Sequence, residues 1–163
     1  MHFDHINKCC TTFRLTLVAA ALGLAACISN AAGPAQSQLP TLQMRVGQHD
    51  VKAELANTDL SRQIGLMNRK ELGGNSGMLF VFKRSETQCM WMKNTLIDLD
   101  VAFADANGKI LNIEQMKAGT TDIHCSSGNA KLALEMNHGW FSTRGIDAGE
   151  KLHVPEQVLE TRE

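Results

Sequence analysis

A set of polar side chains along this chain is spaced so that a β domain could gather them at one rim. Arg62 and Arg69 share a segment, Lys93 and Asn94 are adjacent, Asp100 follows, and Glu135 and Asn137 lie two apart. Converging with both charge signs, they would form a pocket for a small polar ligand such as a sugar or a peptide end. The same residues have a structural reading, in which Lys93 pairs with Glu135 to set strand register while Asn94 and Asn137 satisfy backbone groups. A third reading makes Lys93, Asp100 and Glu135 the working groups of an enzyme of unassigned class. Asp98 and Asp100 would share one face of a strand as a carboxylate pair, but spacing alone is weak support for acid and base roles. The chain contains no G-x-S-x-G, H-E-x-x-H, P-loop or G-x-G-x-x-G string, so it nominates no catalytic residue and no cofactor.

Sulfur chemistry is the second candidate. Five cysteines are present: Cys9, Cys10, Cys27, Cys89 and Cys125. The first two fall in a removable leader and Cys27 at its end, which leaves Cys89 and Cys125 in the domain. In an oxidising compartment two remaining cysteines form a disulfide most simply. A reactive thiol served by His124 is the alternative, without a C-x-x-C spacing to support it. Met90 and Met92 beside these cysteines and His124 resemble a soft-metal site in composition. Against that, Met44, Met67, Met78, Met116 and Met136 all fall at expected core positions, where methionine is a flexible filler.

Lys8 and Arg14 precede an uncharged stretch, LTLVAAALGLAA, over residues 15–26. Twelve residues are too few for a membrane span, which needs about 20, and they match the apolar region of a secretory signal. Leu24-Ala25-Ala26-Cys27 is similar to the lipobox of bacterial lipoproteins, which implies lipidation of Cys27. Ile28 in place of Asp then points to the outer membrane, with the lipid as the membrane contact. The competing expectation is ordinary cleavage after Ala31 or Ala32, giving a soluble periplasmic or secreted protein. Residues 27–41, rich in Ala, Ser, Gln, Gly and Pro, read as a tether. The domain is expected over 42–155, with a tail at 156–163. Lys plus Arg number 16 against 17 Asp plus Glu. Without the leader the balance is 14 against 16, which removes the electrostatic case for a nucleic-acid partner.

The elements that must position these groups are mostly strands. Leu42, Met44 and Val46 alternate with polar residues, a turn follows, and Val51, Ala53 and Leu55 alternate again, which predicts a hairpin. Asn57 and Thr58 can cap a helix running to about Arg69, with Leu60, Ile64 and Met67 on its buried face. Strand-length runs follow at 78–82, 89–94, 99–104, 110–116, 132–136 and 151–154, with Asn107-Gly108 as a tight turn. Residues 117–129 read as a loop. If 89–95 is a strand, Lys93 shares a face with Cys89, Trp91 and Thr95, opposite Met90, Met92 and Asn94. Seven or eight strands, one short α-helix and no βαβ alternation predict a mainly β single domain, a sandwich or barrel.

Three strings carry a resemblance: RQIGLMNR at 62–69, GMLFVF at 77–82 and WMKNTLIDLD at 91–100. Leu134-Glu135-Met136-Asn137, Gly139-Trp140-Phe141 and Gly145-Ile146 extend it, so that it runs over residues 42–154. In these the chain resembles the bacterial and archaeal family called domain of unknown function 192. The resemblance implies a compact, mainly β domain, often exported, with no settled activity. Asp98 stands where that family commonly has Pro, and Glu150 where it commonly has Asp. The resulting expectation is an envelope protein acting as a binding or accessory module.

Overall fold

The computed structural model describes residues 33–36 and 39–159, so the leader and Cys27 lie outside it. Strands β1 (Thr41–Val46) and β2 (His49–Ala56) form the expected hairpin, with Val46 opposite His49 and Gly47 at φ 56° in the turn. Helix α1 (Asp59–Ile64) is a single capping box: the Thr58 hydroxyl accepts from the Ser61 N–H, and the Ser61 hydroxyl accepts from the Thr58 N–H. It stops at Gly65, at φ 51°, rather than continuing to Arg69. The expected buried stripe is therefore corrected. Leu60 is 65% exposed, and the segment's buried apolar residue is Leu66, beyond the helix end.

Strand β3 (Ser76–Glu86) pairs parallel with β2, so the segment carrying α1 is a crossover, contrary to the expected absence of βαβ connectivity. Six helical residues make too short a periodic pattern to announce such a crossover in sequence. After the two-residue β4 (Cys89–Met90) come β5 (Leu99–Ala104), β6 (Ile110–Met116), the two-residue β7 (His124–Cys125), β8 (Ala130–Asn137) and β9 (Leu152–His153). The Asp105 carboxylate accepts from the Asn107 and Lys109 N–H groups and closes the β5–β6 hairpin. A short helix α2 (Glu156–Leu159) opens the segment expected as a tail, and its Val158 and Leu159 pack against the core.

The main sheet runs β6-β5-β8-β3-β2-β1-β9, with β4 and β7 forming a separate two-stranded ribbon. Its outermost strands approach one another: the Leu152 N–H donates to the Gly108 carbonyl at 2.8 Å, and Ile110 N–H to Glu150 at 2.8 Å. The sheet thus curls into a half-barrel, the barrel-type member of the two expected architectures. Alternation sends Val46, Val51, Leu79, Leu134 and Met136 into the curl, joined by Trp140 and Phe141. The opposite face carries Met78, Phe80, Leu99, Val101 and Phe103, and is covered by Leu66 and Met92 from the two segments flanking β3. Gly77 marks a close pairing of β3 with β8: a Cβ there would lie 2.6 Å from the Glu135 carbonyl oxygen and 2.4 Å from the Met136 sulfur.

Candidate functional site

Between the covered face and its cover lies a cavity of about 520 Å³. Its floor is the sheet itself. On β8, the run Leu132-Ala133-Leu134-Glu135-Met136 alternates so that Leu132, Leu134 and Met136 fill the curl, while Ala133 and Glu135 point to the other face. Glu135 stands between Met78 of β3 and Val101 of β5, with apolar neighbours on both sides. The residue is 4% exposed and lines the cavity. Among the described residues no hydrogen bond or ion pair reaches its carboxyl. Burial without a compensating charge raises its pKa from 4.5 to about 8, so the group is protonated at neutral pH.

The walls are largely apolar. Leu66, Met67, Phe80 and Met90 supply most of them, and Trp91, 45% exposed, stands with Leu60 where the cavity meets solvent. Two cations line it. Arg62 is spent on structure: its guanidinium donates to the Asn57 and Val81 carbonyls and to Asp59, clamping α1 onto β3. Lys83 and Arg62 together hold the exposed Asp59 carboxyl below its ordinary pKa. Lys93 places its ammonium 5.3 Å from the Trp91 ring centroid, an exposed cation–π contact rather than the pairing with Glu135 that would set register.

The cover is held by two devices. The Cys89–Cys125 disulfide is present, joining cross-strand partners of the β4–β7 ribbon with their Cα atoms 4.0 Å apart. With both sulfurs in that bond, the thiolates of a reactive-thiol or soft-metal reading are consumed, and Met92 is fully buried in the core. Among the described residues no group of three or more His, Cys, Asp or Glu is placed to hold a metal ion. Second, Asn68 and Asn94 both adopt φ 62°, and the Asn68 N–H donates to the Asn94 carbonyl at 2.8 Å, tying the two covering segments together.

Of the residues expected at one polar rim, the fold brings Arg62, Lys93, Asn94 and Glu135 to this cavity. It sends the other three elsewhere. Arg69 makes a two-pronged pair with Glu54, at 2.9 and 2.7 Å. Asn137 donates to the carbonyls of Leu72 and Gly73. Asp100 faces the curl, where one oxygen meets His138 Nδ1 at 2.8 Å and the other accepts from the Gly139 N–H at 2.8 Å.

The alternation expected through 89–95 fails because β4 ends at Met90 and Asn94 takes a left-handed turn. The Asp98–Asp100 carboxylate pair fails for a related reason. Asp98 precedes β5 and is exposed, accepting from the Ala118 N–H at 2.7 Å, which anchors the turn there. The site is therefore less polar than expected. Phe80, Met90 and Trp91 as cavity walls were not separable from ordinary core in the sequence. The one available signal was an acidic residue inside an apolar strand run.

Comparisons with known proteins fall on this same domain. Residues 42–154 match the family model DUF192, described as "Uncharacterized ACR". A crystal structure from Sinorhizobium meliloti 1021, of a protein provisionally described as a transcription regulator, is similar at a TM-score of 0.70 and 31% identity. That alignment covers 72% of this chain and 96% of the other. A protein of unknown function from Novosphingobium aromaticivorans DSM 12444 is similar at a TM-score of 0.70 and 30% identity, covering 76% of this chain and 94% of the other. The comparison with curated proteins gives no match.

Proposed function

Since the chain belongs to the DUF192 family, whose description assigns no activity, we propose from its own site that it is an exported small-molecule-binding protein. Its ligand has an apolar body and one polar head, and the head reaches Glu135. One observation carries this reading: a buried carboxyl without a protein partner faces an apolar cavity of ligand size. Buried polar groups in folded proteins are almost always hydrogen-bonded, so an unpartnered one that opens on a cavity is completed by what enters the cavity. A binding module is favoured over an enzyme because Asp100 points into the curl and Lys93 stacks on Trp91, leaving Glu135 without an acid–base companion. The regulator description of the Sinorhizobium relative gains no support here, since 16 basic against 17 acidic residues leave no excess charge to follow a phosphate backbone.

Trp91 reports on this reading directly. The chain has two tryptophans and no tyrosine. Trp140 is 3% exposed inside the curl, so the solvent-sensitive emission comes from Trp91. Small amphiphiles carrying an apolar ring and one polar head are expected to shift and saturate that emission, and Trp91→Phe is expected to abolish the response. A panel of such compounds that leaves the Trp91 emission unchanged while the protein stays folded removes the binding reading.

Export and anchoring rest on the signal-like leader, on the Leu24-Ala25-Ala26-Cys27 string, and on a disulfide that suits an oxidising envelope. The mature N-terminus is expected to be Cys27 with the mass of added acyl chains, and Cys27→Ser to release the protein into the soluble periplasmic fraction. A mature chain beginning at Ala32 or Gly33 without lipid overturns the anchor.

A further inference from the structure

We infer that the head group completing Glu135 is the ammonium of an organic amine, and that the apolar body of that amine occupies the space between Phe80, Leu66 and Trp91. This inference rests on the binding reading above and narrows its ligand class. Three kinds of head group could meet the Glu135 carboxyl. An anion would bring an unbalanced negative charge to an apolar floor whose single donor is the Glu135 carboxyl proton, because Met78 and Val101 flank Glu135 there. A neutral acceptor would take one hydrogen bond from the protonated carboxyl and leave the other oxygen unmatched. An ammonium brings three donors and an opposite charge, satisfies both oxygens, and removes the penalty that keeps the carboxyl neutral.

The protein does not supply that cation itself. Of the two cations lining the cavity, Arg62 is bound to Asn57, Val81 and Asp59, and Lys93 lies over the Trp91 ring near solvent. No other titratable side chain among the described residues lines the cavity, since Cys89 is in the disulfide.

The step balances as a proton exchange. The amine enters as the ammonium, the Glu135 carboxyl loses its proton to the buffer, and an ammonium–carboxylate pair remains. Binding of a cationic amine therefore releases about one proton wherever free Glu135 is protonated, and affinity rises about tenfold per pH unit up to the carboxyl's pKa near 8. A neutral acceptor has the opposite dependence: its affinity is constant below that pH and falls above it.

Titration calorimetry of the full domain with three probes of one shape separates these cases: phenethylamine, 2-phenylethanol and 3-phenylpropionate. At pH 8 the amine is expected to bind at least about tenfold tighter than the alcohol, with the carboxylate weakest. Its affinity is expected to climb about tenfold from pH 6 to 7 and about fivefold from pH 7 to 8, with proton release, read across buffers of different ionisation enthalpy, falling from about one at pH 6 to about one half at pH 8. Glu135→Gln is expected to erase the amine's advantage while retaining alcohol binding, which also shows that the variant is folded. If the alcohol binds as tightly as the amine, or if amine affinity is flat or falling over that range, the amine inference is overturned and the binding reading stands. If none of the three produces heat or a Trp91 response, both are overturned.

Discussion

Raising the pH from 5 to 8 is expected to lower the stability of this domain by about 3 kcal/mol through Glu135 alone, and Glu135→Gln to remove that loss. The sign follows from proton counting. In the unfolded chain the carboxyl has its ordinary pKa near 4.5 and has released its proton by pH 5 to 6; in the folded chain it keeps the proton up to about 8. The folded state therefore binds the extra proton across this window, and stability falls as pH rises, by about 1.4 kcal/mol per unit. Below 4.5 the group is neutral in both states and contributes no slope; above 8 it is ionised in both and the loss is complete. Gln has the same shape and never ionises, so the variant should match the parent near pH 5 and exceed it by about 3 kcal/mol at pH 8. Guanidinium unfolding with the disulfide intact, at several pH values for both proteins, checks this. Parallel stability curves for the two would mean that Glu135 has a partner or water access in the folded state. The same destabilising carboxyl is what a ligand would relieve, so a bound amine should flatten the pH dependence of the parent.

Removing the Cys89–Cys125 bond is expected to lower stability by about 3 to 4 kcal/mol, because it releases a closed loop of 36 residues in the unfolded chain. For a domain of this size that is a large share of the total. The loss should also be local. Cys89 and Met90 form part of the cavity wall, and the β4–β7 ribbon has only two residue pairs of its own. A two-stranded ribbon of that length cannot persist unaided, so amide exchange in residues 89–95 should accelerate in the Cys89→Ser, Cys125→Ser double variant more than in β5 or β8. Equal unfolding midpoints for oxidised and reduced protein would overturn the stabilising role. Two titratable thiols in the unreduced protein would show that the bond is not formed.

What could be read along the chain followed the range of the interactions that encode it. The β1–β2 hairpin and the β5–β6 turn are written in neighbours, as alternation around Gly47 and as Asp105 with Asn107-Gly108, and they appear where expected. The Thr58 cap is local and was legible, while the helix length was not. Gly65 turns the chain because Leu66 must reach the sheet face behind it, and that demand lies in tertiary packing. The parallel β2–β3 pairing and the place of β8 between β5 and β3 join residues far apart in sequence, and no local pattern encodes them.

The site divides in the same way. Residue types and strand alternation by themselves determined a mainly β domain, the pairing of the two domain cysteines and the presence of one acidic residue in an apolar strand, while the strings at 62–69, 77–82 and 91–100 carried the resemblance to the family. Only the tertiary structure decided which polar residues are used up. Arg69 is taken by Glu54, Asn137 by Leu72 and Gly73, and Asp100 by His138 and Gly139, each through a contact with a distant segment. Glu135 is left without one. The physical reason is that a side chain's chemistry depends on what surrounds it: alternation says which way Glu135 points, while burial by segments 60–67 and 89–95 removes its water and supplies no donor in return.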